Sequence, residues 1–332
     1  NMTRQQFAVI IQRLMKLEKP VEIKTINLFK DAKSIQVWGR DAIESIVNLG
    51  YMKGTSDNTF NPNGIITRAE AITTLDRSYL HFIKVTYSKA GSYTAKTVEG
   101  SVQINATDVN LHDTIINGDL IIDKGVGNGN VKLSNVTVKG DTIVKGGGIN
   151  SIVLENCTIG HIIVIKIGNM VRIVAVGNTT TGIVDMKSGG KLEESGLTGA
   201  GFGGVVIAES VDDGSPITLI GKFDDIKILA NNISLNLESG SIKTLNITPT
   251  ASNTKVNMGT GSTITTLILD NTATVTGTGT VGTAKVNVAG SIITVPTTNI
   301  NAAVGVNVST TMTPIVPPVL PAGGSGTPAG GG

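Results

Sequence analysis

A repeat of about 21 residues, a length typical of solenoid proteins, limits what most of this chain can fold into. Leu111, Leu133 and Leu154 begin the comparable and nearly evenly spaced segments LHDTIINGDLIID, LSNVTVKGDTIVK and LENCTIGHIIVI. Within these segments, short runs of Val, Ile, Leu and Thr alternate with polar residues, which indicates strands. A repeat of this length that contains two or three strands and few helix formers predicts a parallel β-helix.

Polar residues mark the corners between these strands. Asp113, Asn135 and Asn156 fall at equivalent places in the three segments, and Asn and Asp tolerate the left-handed backbone conformation that a tight corner needs. The apolar positions form two columns, one of Ile116, Val138 and Ile159 and one of Ile121, Ile143 and Ile163. We expect stacked turns to bury such columns inside the solenoid.

The repeat becomes looser toward the end of the chain but continues. Ile226, Ile242 and Ile264 begin the segments IKILA, IKTLN and ITTLI, which are less evenly spaced. Residues 94–310 are therefore predicted to form a right-handed parallel β-helix, or β-solenoid. About ten turns at a strand spacing of about 4.8 Å would make a rod of about 48 Å, which suits a spacer. The weak segment at residues 187–221 is predicted to leave the rod as a loop.

The first part of the chain has a different composition. Nine of the 11 aromatic residues precede Thr94, and residues 1–93 carry 13 Lys or Arg against 8 Asp or Glu, whereas the remainder carries 14 against 17. This contrast predicts a separate N-terminal domain whose modest positive charge suits an anionic partner. Because its basic residues are not interleaved with aromatic ones, nucleic-acid binding is not expected.

Two features describe the ends of the sequence and its relation to membranes. No apolar stretch reaches the roughly 20 residues that a membrane helix needs, so membrane insertion is not expected. Residues 311–332 are rich in Pro, Gly and Ser and too poor in apolar side chains to pack, so they are predicted to be a linker. Since the chain opens at Asn1 inside a motif, we interpret the sequence as a piece of a longer protein.

Two predicted helices begin with the same sequence motif. Residues 3–6 spell T-x-x-Q and residues 67–70 spell T-x-x-E, and each is a capping box followed by apolar residues at helical spacing. The two copies form an internal repeat. In each, an arginine, Arg4 or Arg68, places a permanent cation beside the unpaired N–H groups of the helix start, which favours an anion. The alternative is a solvated arginine that only follows a cap.

Between these starts, a further helix is predicted at residues 38–49, with Ile43, Ile46 and Val47 facing inward and Gly50 as its C-terminal stop. The motifs F-x-D-A, W-x-x-x-A-I, L-G, G-x-x-D-N-T-F-x-P and I-T-R-A-E follow one another in this region. This order of motifs resembles the S-layer homology (SLH) domain family.

The resemblance covers one full copy of the domain at residues 28–90, and residues 1–17 are similar to the tail of a preceding copy. It implies a small helical module that holds bacterial surface proteins to an acidic, often pyruvylated, secondary cell-wall polysaccharide. An extracellular location at the bacterial cell wall or S-layer follows from the same resemblance.

Matched position by position, the resemblance implies polysaccharide-binding residues at Asp31, Trp38, Gly54, Arg68 and Arg4. The chemistry is suitable, because an arginine can pair with a carboxylate through two parallel hydrogen bonds and an aromatic ring can stack on a sugar. Two of these residues have structural alternatives: Trp38 can belong to the core of so small a domain, and Asp31 can cap a turn.

A metal site is not predicted. Oxygen-bearing side chains at Asp57, Thr59, Asn61 and Asn63 resemble a calcium loop, but Arg68 occupies the place where such a loop carries its bidentate glutamate. No cluster of Cys and His indicates zinc. The sequence also gives no indication of a cofactor.

Catalytic residues are not predicted either. The separation between the carboxylate pairs Asp212–Asp213 and Asp224–Asp225 is well short of one turn of the repeat, so stacking does not place them on one face. His112 and His161 align with polar, exposed positions, and His81 falls at the end of the third helix. Cys157 takes the place of an inward valine and is expected to be a buried, inert thiol.

Three hypotheses follow. In the first, the chain is a non-catalytic surface or S-layer protein, anchored to an anionic wall polysaccharide and carrying a solenoid as scaffold or spacer. In the second, it is an anchored polysaccharide lyase or hydrolase. In the third, it is an adhesin or self-assembling filament subunit whose open solenoid ends add strand to strand.

Overall fold

The computed structural model describes residues 1–79, 82–150 and 152–310. His81 and the linker predicted at residues 311–332 lie outside the described residues. Among the residues that are described, no helix combines the length and the apolar character that crossing a membrane requires.

The chain forms two compact units. The first contains residues 1–147 and 155–161, and the second contains residues 148–154 and the chain from Ile162 onward. The first unit carries the helices of the N-terminal region. Each unit contains turns of parallel β-solenoid, about 12 in all. The handedness of the solenoid stays a prediction.

The helices within the described residues are α1 (Arg4–Leu14), α2 (Val37–Asn48) and α3 (Arg68–Tyr79), with short 3-10 helices at Thr25–Leu28, Ala32–Ser34 and Lys124–Val126. The strands are β1 (Ile83–Tyr87), β2 (Gly91–Thr94), β3 (Thr97–Val98), β4 (Ser101–Ile104), β5 (Val109–Ile116), β6 (Leu120–Ile122), β7 (Val131–Val144), β8 (Val153–Glu155), β9 (Thr158–Val164), β10 (Val171–Gly177), β11 (Thr180–Met186), β12 (Gly190–Leu197), β13 (Val205–Ile207), β14 (Pro216–Ile228), β15 (Ser234–Ile247), β16 (Thr254–Met258), β17 (Thr263–Leu269), β18 (Ala273–Gly277), β19 (Thr280–Val286), β20 (Ile292–Ile293), β21 (Thr297–Ala302) and β22 (Ser309–Thr310).

Both predicted capping boxes are confirmed. At the start of α1, the Gln6 amide N–H donates to the Thr3 hydroxyl at 3.3 Å and the Gln6 side chain accepts from the Thr3 amide at 2.9 Å. At the start of α3, the corresponding bonds between Thr67 and Glu70 measure 3.2 and 2.9 Å. Two donors that the helix would otherwise leave unpaired are thus satisfied at each start.

The apolar core of the helical region lies between α1 and α2. Its buried members include Phe7, Ile11, Ile26, Ile43, Ile46, Tyr51 and Phe60. α2 begins one residue before its predicted start, and Gly50 ends it with a φ of +73°, the left-handed conformation expected of a glycine stop.

The two copies of the capped helix are buried differently. Ala8 and Ile11 of α1 are fully buried, whereas the corresponding residues of α3, Ile72 and Leu75, are 67% and 41% exposed. In α1 this face packs into the core with α2, whereas Ala71 is the residue of the same face of α3 that packs against that core. Apolar spacing therefore predicted both helices but not which one would be buried.

A buried carboxylate fixes the segment that leads into α2. Glu44 lies inside the helical region, and its oxygens accept the backbone N–H groups of Lys24, Thr25 and Ile26 at 3.0, 2.8 and 2.8 Å. Burial opposes ionisation of this side chain, but the backbone N–H groups of Ile26, Thr25 and Lys24 outweigh it and lower the pKa of Glu44.

The predicted pairing of strands is confirmed in the first unit. Three expected pairs occur between neighbouring turns: Leu111 with Leu133, Ile116 with Val138, and Ile121 with Ile143. Cys157 is fully buried, as predicted, and burial raises the pKa of its thiol to about 11. A thiol in this state packs as a small apolar group.

The corners are built as predicted and are also linked from turn to turn. Asp113, Asn135 and Asn156 have φ angles of 48°, 56° and 54°. The Asn135 side-chain amide donates to the Asp113 carboxylate of the previous turn at 2.9 Å. In the second unit, Asn253 donates to Asn232 in the same way at 3.2 Å. The corner residues therefore supply both an unusual backbone conformation and a polar ladder.

The extent of the solenoid differs from the prediction. It starts at Ile83, in β1, which pairs in parallel with β4, and not at position 94. Later turns are also shorter than expected, because Leu235, Val256, Val275 and Ile293 share one column and each step along it is shorter than the one before. An earlier start and shorter turns together give about 12 turns instead of about ten.

One predicted alignment is wrong. Ile242 pairs with Ile264 as expected, but its partner in the preceding turn is Phe223, and Ile226 pairs with Leu245. The shared I-K-x-L pattern does not mark equivalent positions here, because Phe223 fills the inward position that pairs with Ile242.

Residues 187–221 do not leave the solenoid as a loop. They contain β12, β13 and the start of β14, which pair in parallel with strands of neighbouring turns. Inside these turns the rings of Phe202 and Phe223 stack at a centroid distance of 6.1 Å, and both are buried. The Glu194 carboxylate accepts the amides of Phe202 and Lys222 at 3.1 and 2.7 Å, so it stabilises the glycine-rich turn that sequence patterns did not resolve.

We expect Glu44→Gln to destabilise the helical region by about 1–3 kcal/mol at neutral pH, because glutamine keeps only one acceptor oxygen and its NH2 group would face at least one of the three backbone donors. The pKa of Glu44 is lowered in the folded state, so its contribution is present above its unfolded pKa of about 4.3 and is lost as the pH falls through the lowered value. The measurement is urea unfolding at pH 7 and pH 3, followed by the fluorescence of Trp38, the sole tryptophan.

The matched control for this prediction is Glu22→Gln, since Glu22 is exposed and forms its ion pair with Lys24, which is exposed as well. A loss of stability in the Glu44 variant that is equally large at both pH values would contradict the prediction.

Candidate functional site

Asp31, a predicted sugar contact, organises the D-N-T-F loop. Its two carboxylate oxygens accept the backbone N–H groups of Phe60 and Asn61 at 2.8 and 2.7 Å. Asn61 has a φ of 54°, so the carboxylate holds a turn whose backbone conformation is otherwise unfavourable. The structure thus gives Asp31 the turn-capping role that the sequence left open as an alternative.

Gly54 is required by packing against the same loop. A Cβ atom at this position would lie 2.5 Å from the ring of Phe29 and 2.9 Å from the carbonyl oxygen of Thr59. Any side chain would therefore push the loop away from the aromatic ring. The geometry explains the glycine without a ligand.

Arg4 is enclosed by three segments of the helical region. Its side chain is 6% exposed, Nε donates to the Phe60 carbonyl and Nη2 to the Lys53 carbonyl, both at 2.8 Å, and Nη1 forms an ion pair with Glu70. The guanidinium carbon also lies 5.1 Å from the centre of the Phe60 ring. All three guanidinium nitrogens are engaged inside the protein.

The acidic partner of Arg4 belongs to the other capping box. The backbone N–H of Thr67 lowers the pKa of Glu70, and Arg4 lowers it further. Thr3 and Ile65, which precede α1 and α3, form an antiparallel bridge that brings the two helix starts together. Sequence patterns identified the two boxes separately, but their contact follows from this long-range pairing.

Arg68 is in the opposite situation, although it occupies the equivalent position of the repeat. It is exposed, and the structure shows no hydrogen bond or ion pair between its side chain and another described residue. Because the Glu70 carboxylate is directed to Thr67 and Arg4, it does not neutralise Arg68. A cation beside a capped helix start is therefore available to an external anion.

Trp38, in the first turn of α2, is not part of the core and is 55% exposed. It lines a groove of about 450 Å³ between α1 and α2, together with Val9, Gln12, Arg13, Lys16, Leu17, Lys19 and Asp41. Sequence reasoning missed the three cations of this groove. The sequence pattern that could have indicated them is the regular spacing of Arg13, Lys16 and Lys19, close to one helical turn, at the end of α1 and just beyond it.

A second cavity, of about 290 Å³, lies beside Arg4. Its polar lining includes Lys53, Glu70, Thr73 and Arg77. Lys53 and Arg77 were also missed, and both add positive charge next to the buried Arg4 guanidinium. The five predicted site residues therefore do not form one cluster. Asp31, Gly54 and Arg4 contact the D-N-T-F loop, whereas Trp38 and Arg68 are exposed and lie apart from it.

The solenoid candidates are dispersed. Asp212, Asp213, Asp224 and Asp225 are all exposed, and Asp213 accepts a hydrogen bond from Asn232 at 2.8 Å. In the described ranges, no group of three or more His, Cys, Asp or Glu residues is placed to hold a metal ion.

The side chains of His112 and His161 are 34% and 32% exposed, so both lie at polar positions but are half-buried and not exposed as predicted. The ring Nδ1 of His112 is 2.9 Å from Asp113, and that of His161 is 2.9 Å from Asp141. The second of these contacts joins residues of neighbouring turns.

We expect Arg4→Met to destabilise the helical region by about 2–4 kcal/mol, because it leaves Glu70 and two carbonyl groups without their donor. Arg68→Met is the matched control, since the same change at the exposed copy should alter the free energy of unfolding by less than about 0.5 kcal/mol. Urea unfolding followed by Trp38 fluorescence measures both. Equal effects of the two substitutions would contradict the assigned environments.

Comparison with known proteins agrees with the motif order. Residues 28–72 match the family model described as the S-layer homology domain. The cellulosome-anchoring protein of Acetivibrio thermocellus is 35% identical over 82 residues, which cover 24% of this chain and 17% of that protein. Cell surface glycoprotein 1 of the same organism is 31% identical over 86 residues, covering 24% of this chain and 4% of the relative.

Two further similarities concern enzymes. The amylopullulanase of Thermoanaerobacterium thermosulfurigenes is 33% identical over 73 residues, covering 21% of this chain and 4% of that protein. The chitinase ChiW of Paenibacillus sp. str. FPU-7, a cell-surface-expressed multi-modular enzyme, is similar with a TM-score of 0.47 and 32% identity, over 54% of this chain and 16% of that one. The chain thus spans only a small part of each of these proteins.

Proposed function

We propose that this cell-surface protein, in which residues 28–72 form an S-layer homology domain, uses that domain to bind an anionic cell-wall polysaccharide and carries its β-solenoid as a non-catalytic scaffold. The observation that carries the proposal is the exposed guanidinium of Arg68, which has no partner among the described residues. The names of two relatives, a cellulosome-anchoring protein and a cell surface glycoprotein, support an anchoring role.

The chemistry of Arg68 fits an acidic sugar. A guanidinium can give a carboxylate two parallel hydrogen bonds, and the nearby start of α3 adds the positive end of a helix dipole. A pyruvylated sugar would present such a carboxylate on a rigid ring. Because Glu70 is committed to Thr67 and Arg4, it does not compete with an external anion at this place.

The arrangement of acidic groups in the solenoid supports a scaffold more than a catalyst. General acid–base chemistry on glycans needs two carboxyl groups held close together in different environments. Burial raises the pKa of Glu194, but both of its oxygens accept backbone N–H groups, so it is committed to the structure. Asp212 and Asp224 are exposed and have no such environment.

We expect Arg68→Ala to weaken binding to purified acidic wall polysaccharide by about tenfold, which is the loss of one charge-assisted hydrogen-bonded contact. Co-sedimentation with the polymer, at low and at high salt, measures the change. The matched control is Lys139→Ala, which removes one exposed positive charge from the solenoid. Undiminished binding by the Arg68 variant would remove this residue from the site.

We also expect no turnover of glycans by the full chain. Incubation with pectin, alginate, chitin and peptidoglycan-linked glycans should yield neither new reducing ends nor unsaturated products. Product formation that is abolished by Asp212→Asn or Asp224→Asn would show that the solenoid is an enzyme and would overturn the scaffold proposal.

A further inference from the structure

A side-chain hydrogen bond joins the end of α3 to the solenoid. The Tyr79 hydroxyl donates to Oδ2 of Asp119, just before β6, at 2.9 Å, and both residues belong to the first compact unit. Burial and the hydrogen bond to Asp119 raise the pKa of Tyr79, so the hydroxyl stays protonated near neutral pH. A hydrogen bond from a hydroxyl to a carboxylate is short and strong, because the acceptor is charged.

The acceptor of this bond is fixed by the neighbouring turns. Asp119 donates its backbone N–H to the Ser101 hydroxyl at 3.0 Å, and its Oδ1 accepts the backbone N–H of Asp141 at 2.9 Å. Ser101, Asp119 and Asp141 occupy equivalent places in successive turns, and Asp141 is 2.9 Å from Nδ1 of His161. Tyr79 is therefore bonded to a polar ladder that runs along the solenoid.

Two glycines leave room for the ladder. A Cβ atom at Gly140 would lie 2.3 Å from Oδ1 of Asp119, and one at Gly118 would lie 2.5 Å from the carbonyl carbon of Gly100. Neither Gly118 nor Gly140 has a positive φ. Close approach, and not backbone conformation, therefore explains the absence of a side chain at these two positions. The corner is packed closely enough to keep the Asp119 carboxylate in one place.

The bond adds a second attachment to a short connection. α3 ends at Tyr79 and β1 begins at Ile83, so residues 80–82 are the covalent link between the two elements. A covalent link alone permits rotation about its φ and ψ angles. The hydrogen bond holds the far end of the Tyr79 side chain to Asp119, which lies at a different point of the solenoid. Rotation about the link would break it.

We propose that the Tyr79–Asp119 hydrogen bond is a lock that sets the direction in which the solenoid projects from the helical region. While the bond is formed, the solenoid turns of the first unit move with the helices. Once it is broken, the link alone restrains them. A charge-assisted hydrogen bond shifts such a balance by about tenfold or more. Because Arg68 takes no part in the lock, the lock acts whatever the helical region binds.

The motion of the helical region can be followed in the full chain, because Trp38 is the sole tryptophan and lies in α2. In the wild type, we expect its fluorescence anisotropy to decay with the tumbling of helices and solenoid together. Tyr79→Phe keeps the ring and removes the donor. It should add a component with a correlation time about two- to fourfold shorter, because the smaller helical region then also moves by itself.

Tyr93→Phe is the matched control. The Tyr93 hydroxyl donates to the nearby Lys89 carbonyl at 3.0 Å, so the same change at this position leaves α3 attached to the solenoid. The decay of this variant should equal that of the wild type. Asp119→Asn approaches the lock from its other side. It keeps an oxygen for the backbone N–H of Asp141 and removes the charge from the bond to Tyr79, so it should add the same component with a smaller amplitude.

A distance measurement provides a second readout. Energy transfer from Trp38 to a dye on Lys96→Cys, an exposed position early in the solenoid, gives the distribution of distances between the two. The native Cys157 is buried and does not compete for the dye in the folded chain. We expect a narrow distribution in the otherwise unchanged chain and a broader one when Tyr79→Phe is added.

Urea unfolding shows whether each variant is folded. A folded Tyr79→Phe chain whose anisotropy decay and distance distribution match the wild type would overturn the lock, and so would an equal effect of Tyr93→Phe. A wild-type chain that already shows the faster component would overturn it as well. If Tyr79→Phe does not fold, Asp119→Asn decides, and an unchanged decay in that variant would rule the lock out.

Discussion

The Arg4 guanidinium is the interaction on which the helical region depends. It connects the start of α1 with two carbonyl groups of the loop between α2 and α3 and with the capping box of α3. Because each of its nitrogens has a partner, the charge is fully used within the fold and not presented to a ligand. The same contacts direct Glu70 inward, which leaves Arg68 unneutralised on the outside. A buried ion pair in one copy of the repeat thus creates the available cation in the other.

This division of roles shows why equivalent residues of a repeat need not have equivalent functions. Arg4 and Arg68 follow matching caps, yet one is enclosed and the other is exposed. The faces of the two helices differ in the same way, since Ala8 and Ile11 are buried in α1 whereas Ile72 and Leu75 are exposed in α3. The groove beside Trp38 depends on this packing too, because α1 and α2 form its walls. Whether a helix residue is buried depends on which elements pack against that helix, and the local sequence does not specify this packing.

The solenoid satisfies a different constraint, namely that every turn must bury an apolar column and pair its backbone with the next turn. Parallel pairing does this for the strands, whereas the corners need left-handed residues that also hydrogen-bond along the stack. In the glycine-rich segment near Phe202, the Glu194 carboxylate accepts the backbone N–H groups of Phe202 and Lys222. The solenoid therefore tolerates turns of unequal length, provided that each exposed corner is given its polar partners.

The sequence alone determined the features that depend on near neighbours or on regular repetition: the capping boxes, the glycine stop of α2, the asparagine corners and the register of the first turns. It also identified the SLH motifs. The predicted alignment of Ile226 was wrong, because the aromatic Phe223 occupies the equivalent position. The solenoid turns around Phe202 were not predicted, because a glycine-rich segment interrupts the repeat there. Only the tertiary structure decided which arginine is free, since the partners of Arg4 lie far along the chain, at Lys53, Phe60 and Glu70. Contacts at such separations depend on how helices and loops pack, and no local pattern encodes them.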